Sequence, residues 1–141
     1  MCYRKLKGFK YATTKEHIFE TGITGFTIDE EYFSLDTTGK LIIKCGYSWN
    51  GANCFPDLES IMRGSLVHDC GYQLIRMGLL PPNYKDTFDR IIQRECVKDG
   101  MNLWLADKVY WAVKRFGKGS CLAGTEGKEL KLHFVTQGVD I

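Results

Sequence analysis

Arg63-Gly64-Ser65-Leu66-Val67-His68-Asp69-Cys70-Gly71-Tyr72 is the stretch on which the reading of the chain turns. An adjacent histidine and aspartate lie inside an apolar run, where burial is costly unless specific partners satisfy them. On a helix His68 and Tyr72 are one turn apart and share a face, while Asp69 points about 100° away. A second helical run, Tyr84-Lys85-Asp86-Thr87-Phe88-Asp89-Arg90-Ile91-Ile92, carries Asp89 where it can pack back on that face. The expectation is that Asp89 holds His68, with Tyr72 beside it and Asp69 left free next door.

Outward from this stretch the pattern stays helical. Leu58, Ile61, Met62, Leu66, Val67, Leu74 and Ile75 predict a helix from Leu58 to Met77, ended by Gly78. Residues 79–83 link it to a second helix with Asn83 as its expected N-cap, running to about Lys98 and closed by Asp99-Gly100. A third helix is expected from about Asn102 to Phe116, with Gly117 as its stop. Trp104 and Trp111, seven residues apart on one face, are expected to pack in its core.

The N-terminal third reads as β structure. His17–Thr21, Gly25–Ile28, Tyr32–Leu35 and Lys40–Cys45 are short, rich in aromatic and β-branched residues, and separated by turn formers. Asp36-Thr37-Thr38-Gly39 predicts a hairpin turn. His17 is expected to be solvated or structural. Gly46 to Asp57 reads as an irregular loop. Its plainer role is a tight link from sheet to helix with Trp49 plugging the core, and its sharper one is to aim oxygens at a hard cation. Beyond Gly117 the chain is glycine-rich, and Glu129–Val135 alternates as a short C-terminal strand would, with His133 facing solvent. The fold class expected is α+β: a single domain over 1–141, with an antiparallel β meander (1–45), a Gly/Asn loop (46–57), a three-helix unit (58–117) and a tail (118–141).

Composition narrows the function classes. A chain of 141 residues has room for one real core. A net charge of +2 argues for neither nucleic acid nor an anionic surface as a partner. No apolar run approaches the ~18 residues of a membrane span, and no secretory signal is expected from the charged start. Six cysteines without a C-x-x-C pair read as reduced thiols, mostly buried.

For chemistry, a histidine fixed by a carboxylate is a general base. Ser65 sits in no G-x-S-x-G elbow, and Cys70 is too close in sequence to reach the attack site of His68, so water is the expected nucleophile. Zinc would have to use His68, Asp69, Asp89 and Cys70 or Cys96, which have no recognisable ligand spacing. A metal phosphohydrolase of the His-Asp type needs more histidines than the three present.

Residues 47–118 resemble the DUF1353 family of phage and prophage proteins. The resemblance rests on Asn50-Gly51-Ala52-Asn53, Ser65–Tyr72, Phe88–Ile92, Gly100-Met101 and Ala112–Gly117, with Asn50 where that pattern has aspartate. It implies a phage-encoded protein of the host cytoplasm or the virion. The H-D-x-x-Y of His68, Asp69 and Tyr72, with Asp89 twenty-one residues after His68, is more loosely similar to phospholipase A2. That similarity implies that His68 deprotonates water, that Asp89 orients it with help from Tyr72, and that the substrate is a lipid or another ester. It also implies a calcium ion shared by Asp69 and loop carbonyls of Trp49, Asn50 and Gly51, with no paired cysteines bracing the helices here. Two readings stay open: a calcium-assisted hydrolase, or a non-catalytic virion component or host-factor binder in which His68, Asp89 and Tyr72 lock two helices together.

Overall fold

The structure, a computed structural model, describes residues 3–5, 11–51, 55–56 and 58–117. Contacts divide the chain into two compact units, one containing Met1–Asn50 and the other Gly51–Glu126. The architecture is mixed α+β: antiparallel strands first, then three helices.

The first unit holds two sheets. In one, β1 (Tyr3–Lys5) pairs with β2 (Tyr11–Thr13), which pairs with β7 (Ser48–Trp49), all antiparallel. In the other, β3 (His17–Glu20), β4 (Ile28–Asp29), β5 (Phe33–Leu35) and β6 (Lys40–Ile43) lie in the order β3-β6-β5-β4. The register His17↔Ile43 to Glu20↔Lys40 sends Phe19, Leu41 and Ile43 inward, as period-two alternation requires. The β5–β6 turn is built by Asp36. Its Oδ1 accepts from the Thr38 amide (2.9 Å), the Thr38 hydroxyl (2.6 Å) and the Lys40 amide (3.0 Å), while Gly39 supplies φ +95°.

Two expectations in this unit change. Ser48–Trp49, read as loop, is a strand, because Tyr11↔Trp49 and Ala12↔Ser48 give its backbone a ladder partner. The strand expected at Gly25–Ile28 forms only at Ile28–Asp29, since Gly22 and Gly25 have positive φ and break the pleat before it. Of the two roles expected for His17, burial within β3 fits the structural one and not the solvated one. Trp49 is buried with its ring 5.4 Å from that of Tyr11 and 5.9 Å from that of Tyr3, an aromatic cluster within this unit.

In the second unit α1 (Glu59–Arg76), α2 (Lys85–Lys98) and α3 (Leu103–Phe116) follow in order, with a 3₁₀ turn at Pro82–Tyr84 before α2. Gly78 ends α1 in the left-handed region (φ +74°), where the Leu79 amide reaches back to the Leu74 carbonyl and the Gly78 amide to Ile75. Gly100 ends α2 in the same way, with Met101 bonded to the Cys96 carbonyl. Asn83 does not cap α2: the 3₁₀ turn intervenes and Tyr84 holds that position without a side-chain bond. Asn102 does cap α3, accepting from the Leu105 amide at 2.8 Å.

Helices α1 and α2 pack closely because α1 presents glycine where α2 presents bulk. A Cβ on Gly71 would lie 2.2 Å from the Phe88 ring, and one on Gly64 would lie 3.0 Å from Ile92. Below them Ile61, Ile92, Cys96, Met101, Ala106 and Val109 form the core shared with α3. The largest correction concerns α3. Trp104 and Trp111 are 69% and 60% exposed, because the buried face belongs to Ala106, Val109 and Tyr110 on the opposite side of the helix. Cys70 and Cys96 are buried free thiols, and burial pushes both upward, Cys96 to about 12, so neither is a ready nucleophile. Cys2, Cys54, Cys121, His133 and the expected C-terminal strand lie outside the described residues.

Candidate functional site

The pairing Gly71 with Phe88 sets the antiparallel register of α1 and α2, and that register brings His68 opposite Asp89. His68 Nε2 lies 2.8 Å from Asp89 Oδ1. Tyr72, one turn further along α1, donates its hydroxyl to the same oxygen at 2.5 Å. The His68 and Tyr72 rings stack at 4.0 Å between centroids, tilted by 43°. Lys85, one turn before Asp89 on α2, donates to Oδ2 at 2.7 Å. Asp89 is fully buried, and both of its oxygens are in use.

These bonds set the charges. Burial pushes Asp89 upward, but bonds from His68, Lys85 and Tyr72 together hold its carboxyl below the usual range. An ionised carboxylate only accepts, so Nε2 carries the proton in the His68–Asp89 bond. Burial pulls the His68 pKa down, and attraction to Asp69 and Asp89 outweighs it and holds the imidazole above its ordinary value of 6.5. The other ring nitrogen, Nδ1, faces Asp69 at 3.9 Å, too long for a hydrogen bond but close enough for charge to be felt. Desolvation raises the Asp69 carboxyl, although about a third of its side chain (34%) still meets solvent.

Lys85 is not expected from sequence as a member of the site, nor is Gly117, expected only as a helix stop, as its neighbour. Lys85 Nζ also reaches the Val113 carbonyl at 3.4 Å and the Lys114 carbonyl at 3.2 Å, both in the last turn of α3, where the Val113 carbonyl already accepts from the Gly117 amide at 2.8 Å and a cation is favoured. The signal was available, since a lysine four residues before an aspartate shares its helix face. Gly117 stops α3 at φ −80°, so no left-handed backbone demands glycine there. It is required because a Cβ would lie 2.4 Å from Tyr72 Oη, which no local pattern reveals.

Of the residues proposed from sequence, His68, Tyr72 and Asp89 meet within one unit, with Asp69 beside them. Trp49 lies in β7 and Asn50 follows it at the end of the first unit, while Gly51 opens the second with φ +79°. Ala52, Asn53 and Cys54 are outside the described residues. Among the described residues no three His, Cys, Asp or Glu side chains cluster as a metal group, and Asp69 is the carboxylate facing Nδ1. No helix among them is long and apolar enough to cross a membrane. Compared with protein-family models, with curated proteins and with solved structures, the chain matches none.

Proposed function

We propose that the helical unit carries a water-activating hydrolytic site for esters, lipid esters included, with His68 as general base. The observation that supports this is the buried Asp89 accepting from Nε2 of His68 at 2.8 Å and from Tyr72 on the same oxygen. With the proton fixed on Nε2, Nδ1 of the neutral ring is the basic nitrogen. Water held at Nδ1 gives it a proton while attacking the ester carbonyl, and the imidazolium so formed returns that proton to the leaving alkoxide. Asp89, kept ionised by Lys85 and Tyr72, stabilises the imidazolium without taking the proton. Calcium, which a phospholipase A2-like site would use, would be held through Asp69 and would polarise the carbonyl. The DUF1353 resemblance makes this a phage-encoded activity, exercised in the host cytoplasm or from the virion.

The test is hydrolysis of a short-chain nitrophenyl ester and of phospholipid micelles, with and without calcium, by wild type and His68→Ala. The expected result is wild-type turnover that falls by about 10²-fold or more in a variant that still folds. Because the neutral ring is the base, the rate should rise with pH through an inflection above 6.5. Absence of wild-type turnover on both substrates overturns the reading.

A second reading is favoured by the bonds from Lys85 to the end of α3, which catalysis does not need. In it Asp89 pins three helices, and the protein is a non-catalytic virion component or host-factor binder. Failure of His68→Ala to fold would support this reading.

A further inference from the structure

The face of α3 turned away from its core carries Trp104, Lys108, Trp111 and Arg115, at spacings of four, three and four residues. On a helix these four form one stripe about 16 Å long, opposite Ala106, Val109 and Tyr110. The stripe is not a random scatter of exposed apolar groups. Lys108 Nζ lies 5.2 Å from the Trp104 ring, and Lys114 Nζ lies 5.1 Å from the Trp111 ring. Leu103 (70% exposed) and Phe116 (66%), each about 100° round the helix from an end of the stripe, add exposed apolar surface on its flanks, with Arg115 over the Phe116 ring at 5.6 Å. The one carboxylate on this helix, Asp107, accepts from Gln93 at 2.6 Å.

We propose that this stripe docks the protein on an anionic lipid bilayer. Lys108, Lys114 and Arg115 outnumber Asp107, and Asp86 of α2, which feels Lys114, is already bridged by Arg90 at 3.1 Å, so the face is positive; two copies would repel each other across it, whereas an anionic surface complements it. The shape also favours a bilayer. Ring and ammonium stand side by side on a convex ridge, so a protein partner would need a groove with ring pockets between acidic groups. A bilayer takes indole at the headgroup boundary while the adjacent ammonium meets phosphate at the same depth. The proposal does not depend on the hydrolytic reading, since binding needs no turnover.

The experiment is co-sedimentation of the full chain with vesicles of phosphatidylcholine alone and of phosphatidylcholine mixed with phosphatidylglycerol, at low and high salt. Binding is expected to the mixed vesicles only and to weaken with salt. Trp104→Ser with Trp111→Ser, and separately Lys108→Glu with Arg115→Glu, should each weaken partitioning about tenfold or more while leaving the melting curve in place. Absence of binding to the mixed vesicles overturns the proposal, as does binding that neither pair of substitutions changes. A dimer that the tryptophan pair abolishes, and that mixed vesicles do not dissociate, would also overturn it by assigning the face to a second copy.

Discussion

Gly71→Ala tests the contact that holds the site together. The added methyl would sit 2.2, 2.3 and 2.4 Å from Cδ1, Cγ and Cε1 of Phe88, whose side chain is fully buried. Ordinary carbon contacts begin near 3.5 Å, so the ring or the helix must retreat by about 1 Å. Overpacking of this kind costs about 1–3 kcal/mol, and alanine returns about 0.8–1.0 kcal/mol through its better helix propensity. Because the obstacle is a buried ring rather than a flexible chain end, the net should be a loss of about 1–2 kcal/mol. Gly64→Ala, with its nearest contacts at 3.0–3.2 Å, should cost less. Urea denaturation reads both values, and a Gly71→Ala, Phe88→Leu double variant should recover part of the loss. Retreat of α2 also carries Asp89 away from His68, so the Nε2 proton resonance should shift in Gly71→Ala and hold in Gly64→Ala. If Gly71→Ala instead stabilises the protein by the full helix-propensity gain, close packing does not set the register and the account of the site fails.

Further outcomes follow from the charges and turns. The His68 pKa is raised on folding, so its stabilisation is complete below 6.5 and should be lost as pH rises through the folded value. Urea midpoints of wild type and His68→Gln across that window would expose the slope, and parallel curves would refute it. Asp89→Asn should cost about 3 kcal/mol at neutral pH, since it leaves Lys85 and His68 beside a neutral group. That penalty should shrink as pH falls below 3.8 and through the lower folded pKa of Asp89, because wild type then loses its own carboxylate; a pH-independent penalty would contradict the pairing. Gly39→Ala, at φ +95° and with its new methyl 3.0 Å from the Ile23 amide nitrogen, should lose about 1–2 kcal/mol in thermal melts. An unchanged melting temperature would mean that the turn has another conformation.

Local pattern determined a good deal of this protein. Apolar spacing and glycine stops located all three helices, because left-handed termination at Gly78 and Gly100 is a property of the residue itself. Asp36 and Gly39 determined their turn for the same local reason. The presence of a polar pair in an apolar run singled out His68 and Asp69, and helix periodicity placed Tyr72 with His68. What needed partners distant in sequence stayed hidden. Ser48–Trp49 became a strand only when β2 supplied a ladder, and Lys85 joined the site only when the carbonyls at the end of α3 arrived beside it. Trp104 and Trp111 have the same seven-residue spacing whether they face inward or outward. Amphipathic pattern says that a helix has faces, and only packing decides which one the core takes; here the smaller Ala106 and Val109 fit against the close α1–α2 pair, leaving the indoles outside.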